Sequence, residues 1–88
     1  MKLNPDYALR QIAGMWALIP TGETLRGFRG ILKLNSVGAE IWRGLEAGKT
    51  PEMLSADLVD TYGISKEQAD TDVAAFLEKL TENGCIIY

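Results

Sequence analysis

Few side chains in this 88-residue chain could support catalysis, and their spacing argues against it. The chain has no His, so the usual general base near neutral pH is missing. Ser36 and Ser65 stand at predicted helix starts, where capping is the ordinary role of a serine. Asp70 and Asp72 are two residues apart and therefore point to different sides of a helix, which excludes a carboxylate pair. These residues predict a chain that is not an enzyme and uses no cofactor.

Metal and phosphate chemistry are also not predicted. Cys85 is the single cysteine, so the chain has no zinc constellation and no internal disulfide. Its apolar surroundings favour a buried, inert thiol. The glycines of RGFRG, residues 26–30, are not followed by Gly-Lys-Ser/Thr and do not make a phosphate loop.

Length and composition predict one globular domain over residues 1–88. No apolar run approaches the ~20 residues of a membrane span, and the N-terminus lacks the apolar region of a secretory signal. A reduced, cytoplasmic setting is expected. The net charge of −3 divides into +3 over residues 1–35 and −6 over residues 36–88. Either the two groups of charges lie on solvated faces of the domain, or the basic N-terminal part contacts an acidic partner.

The first third of the chain predicts three strands. Tyr7–Ile12 and Met15–Pro20 are joined by Ala13 and Gly14, which favours an antiparallel hairpin. A third strand is predicted over residues 30–34. The simplest arrangement is a three-stranded meander whose last strand is an edge.

Three helices are predicted to follow, each with a capping residue at its start and a glycine near its end. The starts are Asn35 or Ser36, Thr50 (followed by Pro51) and Ser65. The glycines are Gly48, Gly63 and Gly84. The third helix has the clearest apolar stripe, formed by Ala69, Val73, Phe76, Leu77 and Leu80. Residues 85–88 predict one short β segment, and the whole order is that of an α+β fold.

Two binding functions are compatible with this layout. The last two helices have helix-turn-helix spacing, but residues 66–82 carry a net charge of −3, so DNA phosphates would repel them. A free strand edge beside helices can instead accept an extended peptide as an added strand. Arg29 and Lys33 would then stand near the edge and meet acidic peptide side chains. Spacing alone leaves open whether residues 30–34 bind a peptide or are plain core with solvated charges.

Several segments match a known family in order and spacing. They are LNSVGAEIW at 34–42, GKTPE at 48–52, LVDTY at 58–62 and DVAAFLEKL at 72–80, with WALIPTGE at 16–23 before them. Together they resemble the PqqD-like family, also called RiPP recognition elements. The resemblance covers nearly the whole chain. It implies an N-terminal three-stranded antiparallel sheet packed on a three-helix winged-helix-like unit.

The resemblance also implies a function and a site. Members of the family bind the leader segment of a ribosomally made precursor peptide. The leader is taken as an added strand between the third strand and the third helix. The domain then presents the precursor to a modifying enzyme, often a radical SAM protein. On this sequence the implied peptide-binding residues are Arg29, Gly30, Ile31, Leu32, Lys33, Leu34, Asp72, Ala75, Phe76 and Lys79. The expected partners are therefore a leader peptide and a modifying enzyme. Binding to nucleic acid or to a membrane is not expected. The chain is expected to be a monomer or weak homodimer. The alternatives are a winged-helix DNA-binding regulator and a structural subunit that docks to a partner enzyme.

Overall fold

The first strands form a hairpin. The computed structural model describes residues 2–21 and 31–87, and it places β1 at Tyr7–Ile12 and β2 at Met15–Pro20. The two strands pair antiparallel, with Ile12 opposite Met15 across a two-residue turn. Both turn residues have positive φ, 51° at Ala13 and 80° at Gly14. This is the turn whose twist matches that of paired strands, so the predicted hairpin is confirmed.

The third strand, β3, is Leu32–Leu34, shorter than the predicted 30–34. It pairs antiparallel with β2, and the sheet order is β1-β2-β3. Hence β3 is an edge strand of the described sheet, as predicted. Gly30 lies outside the described residues, and Ile31 is not part of the strand.

The helices are α1 (Ser36–Glu46), α2 (Pro51–Tyr62) and α3 (Lys66–Glu82). Each begins after a side chain that accepts a hydrogen bond from a backbone N–H of the first turn. The three N-caps are Asn35, Thr50 and Ser65. On the first turns of α3, the Gln68 side-chain amide donates to the Asp72 carboxylate (2.8 Å).

Two clusters of buried side chains join the sheet to the helices. The first lies between the sheet and the helices and contains Leu18, Leu34, Trp42 and Leu80. The second lies between the helices. Its buried members are Ile41, Leu54, Leu58, Ala69 and Val73. Leu45, Phe76 and Leu77 pack against both clusters, so the sheet and the helical layer share one continuous core.

The two ends of the described chain pair with each other. Leu3 and Ile86 form an isolated antiparallel bridge, flanked by backbone hydrogen bonds from Asn4 to Cys85 and from Ile87 to Lys2, both 2.8 Å. The predicted β segment of the tail is therefore a single bridge. Burial raises the pKa of the Cys85 thiol to about 11, as expected for an inert core cysteine.

Candidate functional site

The backbone of β3 offers hydrogen-bonding groups at the free edge of the sheet. The Thr21 N–H donates to the Asp6 carbonyl (2.6 Å), so odd-numbered residues of β2 bond toward β1. Since successive residues of a strand bond to opposite sides, Trp16 and Leu18 bond toward β3. Their partners are Leu34 and Leu32. The N–H and C=O of Lys33 therefore point away from β2, where no described strand pairs with them.

The side chains around β3 alternate between the two faces of the sheet. Leu34 is buried and Leu32 is half-buried, and both contact the core cluster under the sheet. Lys33 is exposed, and Ile31 keeps 50% of its surface exposed on the other face. Leu32 and Leu34 thus anchor the strand, while Ile31 and Lys33 remain accessible, as the alternation predicts.

A groove between α1 and α3 begins one residue after β3. Its cavity volume is ≈ 310 Å³. Its α3 side is formed by the four helix residues expected at the site, and its α1 side by residues at and after the helix start. The lining is Asp72, Ala75, Phe76 and Lys79 on α3 with Asn35, Val37, Gly38 and Ile41 on α1. The structure therefore brings the four predicted α3 residues to one surface.

Phe76 lies directly against the start of α1. A Cβ atom at Gly38 would stand 2.9 Å from Phe76 Cε1 and 3.3 Å from Phe76 Cζ. Ordinary carbon–carbon contacts are at about 3.5–4.0 Å, so only glycine allows the ring this close. The aromatic ring is half-buried and forms the apolar part of the groove.

The two charged residues of the groove have opposite signs. Asp72 and Lys79 are seven residues apart on α3, which is about 10.5 Å along the helix axis. The Asp72 carboxylate accepts a hydrogen bond from Gln68, and no described ion pair involves either Asp72 or Lys79. The groove therefore has an apolar centre, an anionic end toward the start of α3 and a cationic end toward its C-terminus.

Some predicted site residues are not tested by the structure, and some groove residues were missed. Arg29 and Gly30 lie outside the described residues. The α1 side of the groove was not predicted from the sequence. Gly38 carried a signal, because glycine is a poorer helix former than alanine and a glycine within a helix often marks a close approach.

A larger cavity of ≈ 500 Å³ lies between α1 and α2. Its lining includes the buried side chains Leu54 and Leu58 and the ion pair between Lys49 and Asp57, but none of the predicted site residues. We place the candidate site at the smaller groove, because of these two cavities it is the one that contains predicted site residues and reaches Asn35, the residue after β3.

The model for the family described as coenzyme PQQ synthesis protein D (PqqD) matches residues 16–86 of the chain. The chain belongs to the PqqD family. The matched region contains all of β2 except Met15, β3, the three described helices and every residue of the groove. The resemblance expected from the sequence is therefore confirmed.

Two solved structures share the fold of this PqqD-family chain. One is a TbiB1 protein in complex with the TbiA(beta) leader peptide, with 24% identity, a TM-score of 0.80, and coverage of 98% of this chain and 94% of that one. The other is a lasso peptide synthetase B1 protein complexed with the leader peptide, with 26% identity, a TM-score of 0.78, and coverage of 94% of this chain and 92% of that one. The expected α+β architecture is confirmed by this likeness. No curated protein matches the chain. In the part of the chain that the structure describes, no helix has the length and apolarity needed to cross a membrane.

Proposed function

We propose that this PqqD-family chain binds the leader segment of a ribosomally synthesised precursor peptide by strand addition at the free edge of β3. The observation that carries the proposal is the free edge of β3, which ends one residue before the groove between α1 and α3 begins at Asn35. Family membership and the two similar proteins solved with leader peptides support it. The chain has a binding role and performs no chemistry on the peptide.

The main chain supplies the first part of the binding surface. Ile31 and Lys33 have the same parity, so the backbone groups of both face the free edge. An extended peptide alongside them would continue the sheet from three strands to four. Main-chain hydrogen bonds of this kind give affinity with little dependence on sequence.

The groove supplies selectivity. A peptide side chain that points toward the helices reaches the Phe76 ring and the small surface of Ala75. An apolar side chain is the natural occupant, because it buries surface against an aromatic ring. Asp72 and Lys79 then favour a basic peptide residue toward the start of α3 and an acidic one toward its end.

The side chain of Lys33, together with Arg29 outside the described residues, also favours acidic residues in the leader. Lys33 is exposed and in no described ion pair. This attraction is expected to weaken with salt, because exposed charges are screened over about 10 Å at 0.1 M.

Presentation to an enzyme is the second half of the proposed role. A bound leader held as an edge strand leaves the rest of the precursor free to enter a separate active site. A modifying enzyme, for which the family suggests a radical SAM protein, is the partner we propose.

The test is a fluorescence-anisotropy titration with a labelled leader from the precursor gene nearest the gene for this chain. We expect saturable binding with a Kd of about 1 μM or tighter, which is about 8 kcal/mol. A scrambled leader should not bind. If no neighbouring leader binds, the proposed function is wrong and docking to a partner enzyme becomes the better explanation.

Three substitutions at one position separate the main-chain and charge contributions. Lys33→Pro removes the outward N–H and leaves the bonds between β2 and β3 in place, so affinity should fall about fivefold to tenfold while the melting temperature changes little. Lys33→Ala, the matched control, removes the charge and keeps the N–H. Lys33→Glu should weaken an acidic leader further. Equal affinity for the Pro and Ala variants would exclude strand addition at this edge.

A further inference from the structure

The outer face of the sheet, turned away from the helices, is largely apolar. We define this outer sheet face by the side chains that alternate with the core-facing ones. They are Ala8, Arg10, Ile12, Met15, Ala17, Ile19, Ile31 and Lys33. A sheet face in water ordinarily carries polar side chains, but only two of these eight are polar.

Three large apolar side chains of this face are accessible. Ile12 and Met15 are each 51% exposed, and Ile31 is 50% exposed. Ile12 and Met15 are directly opposite each other beside the turn, while Ile31 lies at the far end near Ile19. Ile12 and Met15 together form a contiguous exposed apolar patch beside the turn, and such a patch on a sheet is typical of a protein–protein contact.

Two cations lie between the apolar ends. Arg10, Ala17 and Lys33 form one row across the three strands, because Arg10 pairs with Ala17 and Ala17 pairs with Lys33. Neighbouring strands are about 4.8 Å apart, so the two cationic positions are about 10 Å apart. Arg10 donates to the Leu9 carbonyl (2.9 Å), and neither cation is in an ion pair with a described carboxylate.

Ala17 makes the centre of the row shallow. Its methyl group is the shortest side chain of the row and is 5% exposed. A partner side chain can pack over Ala17 when the long, flexible side chains of Arg10 and Lys33 move apart. Along the strands, the outer sheet face is therefore apolar at one end, cationic in the middle and apolar at the other end. Its centre, at Ala17, is a shallow depression.

We propose that the outer sheet face docks an acidic amphipathic helix of a partner protein, lying across the strands. Residues i and i+7 of a helix are about 10.5 Å apart, which matches the spacing of Arg10 and Lys33. Carboxylates at those two positions pair with Arg10 and Lys33. An apolar residue at i+3 or i+4 occupies the shallow depression over Ala17. This surface shares no residue with the groove between α1 and α3, although Ile31 and Lys33 also belong to the proposed leader edge. The proposal does not depend on leader binding.

The test uses the full chain and a labelled 18-residue synthetic helix with Glu at i and i+7 and Leu at i+3 and i+4. The control helix has Lys at the two Glu positions. We expect saturable binding of the acidic helix that weakens as NaCl rises from about 50 mM to about 500 mM, and no binding of the control helix. Absence of binding by the acidic helix overturns the proposal.

Variants locate the contact. Met15→Asp and Arg10→Glu should each weaken binding of the acidic helix at least tenfold. Met53→Asp is the matched control, because Met53 is 52% exposed on α2, away from the sheet. If Met15→Asp does not fold, the affinity of Arg10→Glu for the acidic helix tests the proposal. Equal losses of affinity in Met15→Asp and Met53→Asp would overturn the proposal.

Two further outcomes would assign the face to another occupant and so overturn the proposal. One is self-association in light scattering that Met15→Asp abolishes, which would mean that a second copy covers the face. The other is binding to anionic lipid vesicles that the acidic helix does not displace. A leader titration run in parallel separates this proposal from the proposed function, since Met15→Asp and Arg10→Glu should leave leader affinity unchanged.

Discussion

Replacing Gly38 by alanine should damage the groove without damaging the fold. The added Cβ would stand 2.9 Å from Phe76 Cε1. Since ordinary contact is at about 3.5–4.0 Å, the ring must retreat by about 0.6–1.1 Å. Alanine gains about 1 kcal/mol of helix propensity over glycine, and overpacking costs about 1–3 kcal/mol, near the low end for a half-exposed ring. The free energy of unfolding should therefore change by no more than about 1 kcal/mol.

The effect on leader binding should be larger than the effect on stability. A ring displaced into the groove occupies the space that the leader side chain needs. We expect leader affinity to fall about tenfold, which is about 1.4 kcal/mol. Anisotropy titration of the leader and thermal unfolding of the free chain measure the two quantities separately.

Gly44→Ala is the matched control in the same helix. Its Cβ would stand 2.3 Å from Leu54 Cδ2, a buried atom in the contact between α1 and α2. Here the side chain has little room to move, so we expect a net loss of about 1–2 kcal/mol and a melting temperature lower by about 5–15 °C. Leader affinity below the unfolding transition should not change. If Gly38→Ala keeps full affinity, or if Gly44→Ala is the variant that loses it, the groove is not the leader site.

Three other predictions concern single residues. Thr50→Ala removes the side-chain acceptor for the Met53 N–H (3.2 Å) and should lower the free energy of unfolding by about 1 kcal/mol in urea titrations; an unchanged midpoint would show that the cap contributes nothing. Because burial raises its pKa to about 11, the Cys85 thiol should resist iodoacetamide at about pH 8 in the native chain and react fully after unfolding, and fast native labelling would contradict its burial. A hydrogen bond from Lys66 lowers the pKa of the Asp70 carboxyl below its ordinary value in the folded chain. The ionised carboxylate therefore stabilises the fold at pH values above the pKa of Asp70 in the unfolded chain. This stabilisation is lost as the pH falls through the pKa of Asp70 in the folded chain. Asp70→Asn should therefore reduce stability at about pH 7 and not at about pH 2, and equal urea midpoints for the two chains at both pH values would contradict this.

The elements of the fold were predictable because their signals are local. Thr50 and Ser65 cap helices through bonds to residues three positions ahead, and a two-residue turn determines how β1 and β2 pair. The strand edge followed from the order of the elements. Helix caps and tight turns depend on residues that are close in sequence, so the sequence alone predicts them.

The groove was only half predictable, because its two walls are far apart in sequence. The α3 wall came from a family resemblance, and the α1 wall depends on which helix faces meet in three dimensions. The close contact of Gly38 with Phe76 is a tertiary fact, although a glycine inside an amphipathic helix hinted at it. The accessible apolar face of the sheet was also missed, since alternation alone does not show which face the helices cover.

The bridge between the two ends of the described chain has a consequence for the order of folding. Asn4 Nδ2 donates to the Gly84 carbonyl across a separation of 80 residues, beside the bridge of Leu3 and Ile86. The β1–β2 hairpin closes over two residues and can form early, whereas the bridge must close a loop of nearly the whole chain. Its formation is therefore a late event, and the bridge should be among the first parts to open again. A circular permutant that joins residues 87 and 2 through a short linker would turn this slowest contact into a local one, and it should fold faster with the same native structure.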